Sequence, residues 1–167
     1  MTPCVALATA VDPALSLLPR RLTSDQARVL LLGIGQQESQ LMYRRQMGEG
    51  PARGLWQFER GTQASRGGVW GVYLHRASNE LLRLLCRDRG VSFDPRAIWA
   101  AIEADDVLAA GVARLLLLTD PAPLPAVDDP EAGWAYYLRT WRPGKPHPTT
   151  WPKFHRLAAF AVTMDAA

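Results

Sequence analysis

The sequence predicts a mainly α-helical fold in a single domain, and three observations carry that expectation. Helix-start and helix-stop residues recur along most of the chain, apolar residues fall at helical spacing between them, and 167 residues is the size of one domain. Apolar residues make up 48% and charged residues 21%, which is globular usage and argues against a disordered chain. The domain is expected to fill residues 1–167, with a core over about 22–160.

Taken in order, a short helix is expected within Val5–Leu18. Thr23 and Gln26 then read as a T-x-x-Q capping box that opens a helix running to about Gln40. Along it Ala27, Leu30, Ile34, Glu38 and Leu41 share one face, so a carboxylic acid continues an apolar stripe. Gly33 and Gly35 weaken that helix, which implies a close neighbour against its backbone, a packed helix being the natural candidate. Gly48, Gly50 and Pro51 break the pattern over Tyr43–Gly54, where an irregular insertion or small β-hairpin is expected; Gly61–Val69 is expected as loop.

Ser78 is the expected N-cap of a helix through about Asp88, with Leu81, Leu82, Leu85 and Cys86 inward and Gly90 as its stop. Asp94-Pro95 opens the next. Asp105 and Asp106 open a strongly apolar helix to about Leu118, with Leu108, Val112 and Leu115 in the core, ended by Pro121, Pro123 and Pro125. Asp129-Pro130-Glu131 starts a helix bearing Trp134, Tyr136, Tyr137 and Trp141, which Pro143-Gly144 closes, and a last helix after Thr150 carries Trp151, Phe154 and Leu157. The sum is six or seven helices with one irregular insertion after the second.

Several functions are disfavoured by composition. A net charge of +3, from 19 basic and 16 acidic side chains, is too small a surplus to mark a nucleic-acid binder; no nucleic-acid partner is expected. Cys4 and Cys86 lie far apart, and His75, His147 and His155 lack ligand spacing, so neither a metal site nor a thiol nucleophile is expected, and no cofactor is implied. The histidines read as surface or helix-end residues, and Arg44-Arg45 as a solvated turn able to meet anionic groups. The weakly apolar N-terminal run has no preceding basic residue and is interrupted by Asp12 and Pro13, so it does not read as a signal peptide. No run approaches the roughly 20 apolar residues that span a bilayer, so a soluble protein without membrane insertion is expected.

Glu38 stands out chemically. It ends an apolar helix face just before the glycine-rich insertion, and partial burial raises a carboxyl pKa because desolvation disfavours the charged form. A Glu that stays protonated near neutral pH is suited to donate a proton to a leaving oxygen. The plain alternative is a last-turn Glu pointing to water.

Glu38-Ser39, then Gly54-Leu55-Trp56-Gln57, then Ala135-Tyr136 on a late helix resemble the E-S, G-L-M-Q and A-Y-N signatures of the soluble lytic transglycosylases, in the lysozyme-like superfamily that also holds goose-type lysozymes. The phrase Gly50–Glu59 together with Trp141–Pro146 is similar to lysozyme-like proteins of tailed phages and prophages. Trp56 stands where the family has Met, Tyr137 where it has Asn, and no A-G-P-G run follows. The resemblance covers roughly Leu22 to His155.

It implies a single lysozyme-like helical domain in which Glu38 protonates the glycosidic oxygen between N-acetylmuramic acid and N-acetylglucosamine of peptidoglycan. A lytic transglycosylase needs no second carboxylate. A hydrolase needs one at about 5 to 5.5 Å if retaining or about 6.5 to 9.5 Å if inverting, and Glu49, or less readily Glu59, would supply it. Ser39 and Gln57 would orient the acid or the sugar beside the Gly54 turn, and Tyr136, rather than Tyr137, would face the acid. Trp56, Phe58 and Trp141 would be either sugar platforms or core. The implied partners are glycan strands and phage tail or virion proteins, with the chain a monomer in a virion or the host cytoplasm that acts on periplasmic peptidoglycan. The competing expectation is an inactive virion structural or assembly protein on the same scaffold.

Overall fold

The computed structural model describes residues 1–48 and 50–165. Its elements are α1 (Pro3–Ala6) and α2 (Asp12–Ser16), joined by a π-helical turn Leu7–Val11; a 3-10 turn Arg20–Leu22; and α3 (Asp25–Ser39), α4 (Gly68–Leu74), α5 (Asn79–Asp88), α6 (Pro95–Ala101), α7 (Asp106–Leu117), α8 (Pro130–Trp141) and α9 (Trp151–Asp165). The fold is mainly α, as the punctuation of the sequence predicts. No helix among the described residues is long and apolar enough to cross a membrane.

The centre is α3, whose residues Val29 to Gln36 are buried without a break. It is enclosed all round rather than on the single stripe read from the sequence, as expected of a helix apolar on every side. Helix α9 packs along it, and α1, the π turn, α7 and α8 complete the enclosure. Gly33 admits the Trp151 ring of α9, whose Cζ3 and Cη2 carbons lie 3.7 and 3.4 Å from where a Cβ would stand. Gly35 is needed for a different reason than a packed helix. There Leu41 folds back to 2.6 Å from a would-be Cβ, with Trp56 Nε1 at 3.4 Å.

Helix α3 starts one residue later than the Thr23–Gln26 box predicts. Ser24 is the cap, with extended backbone and its Oγ accepting from the Ala27 N–H at 3.2 Å. The helix ends with Gln40 and Leu41 both left-handed (φ 55° and 52°), and the Leu41 N–H reaches back to the Gly35 carbonyl at 3.2 Å. At the N-terminus, Pro13 cannot donate into an α ladder, and a π turn, with Asp12 N–H on Leu7 O, precedes it.

The insertion after α3 has no sheet among the described residues. Two isolated antiparallel bridges, Arg45 with Arg53 and Arg53 with Phe58, fold it into a tight double turn. The expected loop at Gly61–Val69 gives way at Gly68 to α4, which no cap residue announces. Its first free N–H groups, on Val69 and Trp70, are taken by the backbone carbonyls of Glu59 and Arg60, a non-local solution invisible to capping rules. Ser78 sits at the start of α5, but its hydroxyl donates to Val72 O at 2.7 Å rather than capping. Asp94, Asp105 and Asp129 do cap α6, α7 and α8 as expected. His155, expected as a surface or helix-end residue, is buried on α9 and its pKa is lowered by that burial.

Gly54 has φ 72°, and a Cβ there would stand 2.6 Å from the Ile102 carbonyl oxygen, a rigid backbone atom. Gly54→Ala is expected to destabilise the protein by about 2 kcal/mol or more in denaturant unfolding, from left-handed strain and overpacking together. A change below about 0.5 kcal/mol, the size of an ordinary surface substitution, would contradict the packing described.

Candidate functional site

Glu38 lies in the last turn of α3, between the buried Ser39 and the enclosed helix body. Burial pushes its carboxyl from the ordinary value of 4.5 up to about 7, against the opposing pull of one hydrogen bond from Tyr137. Tyr137 donates its hydroxyl to Glu38 Oε1 at 2.6 Å. The other oxygen, Oε2, has no hydrogen-bond partner among the described residues, yet it is not among the fully enclosed unpartnered atoms, so it keeps contact with solvent. One oxygen is therefore held and the other is unpaired among the described residues.

Tyr137 is held by aromatic packing. Its ring stacks on Trp151 at 5.5 Å and 10°, with Trp134 tilted against it at 5.2 Å and Trp141 at 6.5 Å. Burial first, then the charge and hydrogen bond of Glu38, pushes the phenol far above its usual range, so Tyr137 remains a donor. The expectation that Tyr136 faces the acid is corrected. Tyr136 is 1% exposed and donates to Leu117 O at 2.9 Å, under the guanidinium of Arg139, whose centre is 4.2 Å from the ring. Adjacent helical residues point about 100° apart, and α8 turns its residue 137 towards α3.

The Gly54–Phe58 turn is tied to α3. Ser39, 4% exposed, donates to Leu55 O at 2.6 Å and to Gly35 O at 3.2 Å, tying the turn to α3 rather than orienting a substrate. Trp56 is fully buried, its indole N–H on Leu31 O at 2.8 Å, and Phe58 is 2% exposed. Neither ring is a sugar platform; both are core. Trp141 is half-buried, with its N–H on Trp56 O at 3.1 Å, and of the three it alone keeps an accessible ring. Gln57 sits at φ 49° and its amide donates to Gly54 O and Tyr43 O at 2.9 and 3.1 Å, which closes the turn.

Of the two candidate second carboxylates, Glu49 lies outside the described residues and Glu59 is exposed beyond Phe58. The arginine pair read as a solvated turn is tied down: Arg44 makes a two-bond contact with Asp106, and Arg45 Nε meets Glu103 Oε1 at 2.6 Å, with Arg53 Nε on the other oxygen at 3.1 Å. These pairs moor the insertion to the α6–α7 connection. Met42, Tyr43 and Met47 are exposed on the segment that follows Glu38, apolar groups that periodicity could not distinguish from loop filler. Among the described residues no group of three or more His, Cys, Asp or Glu converges on a point where a metal ion would be held. No family model, curated protein or solved structure matches the chain.

Because the folded state holds the Glu38 proton more tightly than the unfolded chain, the group's contribution to stability falls as pH rises from about 4.5 through about 7. Glu38→Gln keeps an acceptor for Tyr137 and removes the titration. The variant is expected to gain on the wild type above pH 7, by up to about 3 kcal/mol, with little difference below pH 4.5, in unfolding curves across that range. Equal gains at both ends would exclude a raised carboxyl. Tyr137→Phe is expected to move the Glu38 titration upward and Tyr136→Phe to leave it in place, read by carboxyl-carbon NMR.

Proposed function

We propose that the chain is a peptidoglycan-cleaving glycosidase of the lytic transglycosylase type, with Glu38 as its general acid and base. The observation that carries this reading is a carboxyl that burial pushes up to about 7, clamped through Oε1 by a tyrosine and without a hydrogen-bond partner at Oε2 among the described residues. Near neutral pH such a group is protonated in a large fraction of molecules and can serve as acid, then base, in one cycle. The resemblance of Glu38-Ser39 and Gly54-Leu55-Trp56-Gln57 to the soluble lytic transglycosylases, and of the longer phrases to phage lysozyme-like proteins, supplies the substrate. A phage-borne setting is part of the same proposal.

In the proposed reaction, Glu38 Oε2–H gives its proton to the oxygen joining N-acetylmuramic acid to N-acetylglucosamine, and the bond from that oxygen to the muramyl C1 breaks. The carboxylate left behind is stabilised by the Tyr137 hydroxyl already on Oε1. It then takes the proton of the muramyl 6-hydroxyl, whose oxygen closes on C1 to give the 1,6-anhydro ring. Glu38 ends protonated, and no second carboxylate is consumed. Tyr137 acts as a positioning residue, setting which oxygen of Glu38 carries the proton.

The alternative of an inactive scaffold draws on the depth of the same packing, since Tyr137, Trp134 and Trp151 would hold α3, α8 and α9 together whether or not Glu38 reacts.

Purified protein and its Glu38→Gln variant, incubated with Gram-negative sacculi, are expected to differ. The wild type should release anhydro-muropeptides detected by mass spectrometry, and the variant should be slower by about a hundredfold or more. The wild-type rate should decline as pH rises through about 7, where Glu38 loses its proton. Products one water heavier would make the protein a hydrolase and turn attention to Glu49 and Glu59. No release by folded wild type would favour the scaffold.

A further inference from the structure

A second cluster of functional groups lies away from Glu38. A cavity of about 250 Å³ opens where α4, the end of α7 and the end of α8 meet, and Arg66, His75, Asp120, Arg139, Thr140 and Arg142 line it. Its volume is below the roughly 300 to 1,000 Å³ of pockets for drug-sized ligands, so it suits a small group. Three arginines and one carboxylate line it. Asp120 is taken by Arg139, with Nε to Oδ2 at 2.6 Å, while among the described residues Arg66 and Arg142 form no ion pair. His75 Nδ1 accepts from the Ala77 N–H at 3.2 Å, which leaves its ring hydrogen on Nε2 as a donor. The Thr119 and Thr140 hydroxyls are bonded to the backbone carbonyls of Leu116 and Tyr136. The lining is thus rich in cationic donors with no anion matched to two of them.

The backbone adds a second observation. Arg66 and Arg142 both sit in the left-handed region, at φ 49° and 51°, where glycine is the residue of least strain. Arg142 stops α8 there, ahead of Pro143. Two long cationic side chains occupy, at the rim of one cavity, positions that backbone stability alone would give to glycine. Strain kept at such a place calls for a role of the side chain. The cavity shares α8 with Tyr137, Thr140 following it by about 4.5 Å and Arg142 by about 7.5 Å along the helix axis.

We propose that this cleft binds an oxyanion, a carboxylate or phosphate, through the guanidinium groups of Arg66 and Arg142, with Arg139 and the His75 Nε2–H as further donors. Planar guanidinium forks match the two-oxygen edge of either group. The site does not depend on the reading of Glu38 and would stand if no glycan were cleaved.

The test is titration calorimetry at low ionic strength, with inorganic phosphate as one probe and a dipeptide bearing a free glutamyl carboxylate as the other. The comparison is with the Arg66→Gly/Arg142→Gly double variant, whose glycines suit the backbone, so its melting temperature is expected to match or exceed that of the wild type. Saturable binding of one or both probes by the wild type, weakened tenfold or more in the double variant and unchanged by Glu38→Gln, is expected, and the tighter probe names the source of the oxyanion. Binding of neither probe, or equal binding by the double variant, would overturn the proposal.

Discussion

Everything about the candidate site depends on α3 being enclosed on every side. A helix buried from Val29 to Gln36 delivers its last turn into a place where water is scarce, and the carboxyl of Glu38 inherits that scarcity. Burial is the larger cause of its raised pKa. Its seat at the C-terminal end of a helix, where backbone carbonyls point outward, disfavours a negative charge further. A glycine assists this enclosure: Gly35 lets Leu41 and Trp56 close the end of the helix, while Trp151 lies against Gly33 at ordinary contact distance. A methyl group at Gly35 would have to displace the Leu41 side chain, whereas one at Gly33 would only touch the Trp151 ring.

The second constraint is aromatic. Trp151 stacks face to face on Tyr137, and Gly133 on α8 leaves room for the edges of Trp151 and His155, each 3.3 Å from a would-be Cβ. Helices α8 and α9 are thereby joined through rings rather than aliphatic side chains, and the phenol of Tyr137 has little freedom to leave Glu38. A single hydrogen bond between long side chains at a helix end contributes modestly in water. Here the Tyr137 ring is fixed by packing before the bond forms, so less entropy is lost when it does. The bond lowers the carboxyl pKa while burial raises it, and the balance falls near neutrality, where a proton can both leave and return.

Much of the fold was legible because local rules decided it. Aspartates ahead of Pro95, Asp106 and Pro130 cap their helices in the structure as in the sequence. The misses share a cause, namely a partner distant in sequence. Helix α4 is started by carbonyls of Glu59 and Arg60, Ser78 spends its hydroxyl on Val72, and His155 is buried by a glycine on another helix. At the site, the position of Glu38 on an apolar face before a glycine-rich break was readable, but the fates of Trp56, Phe58 and Ser39 were not. An aromatic or hydroxyl residue in a turn carries no mark of whether it faces ligand or core. That depends on where the turn docks, and Trp56 docks with its N–H on Leu31 O in the middle of α3.

The choice between Tyr136 and Tyr137 turned on the rotation of α8, which neighbouring aromatics could not settle from sequence because both rings are buried. What fixes the rotation is the set of contacts made by Tyr136 and Arg139. Arg139 pairs with Asp120 and lies over Tyr136, and the Tyr136 hydroxyl reaches the carbonyls of Leu117 and Ala122. These anchor one face of α8 to the end of α7, and residue 137 is then the one turned to α3. Under the proposed function, a tyrosine therefore meets the acid from the position where the resembling family carries asparagine. The phenol reaches further than an amide would, and a helix standing further from α3 can still bring a donor to Glu38. The spacing between α3 and α8 and the identity of residue 137 are in this way one constraint, so shortening that side chain would leave the carboxyl buried without its donor instead of drawing the helices together.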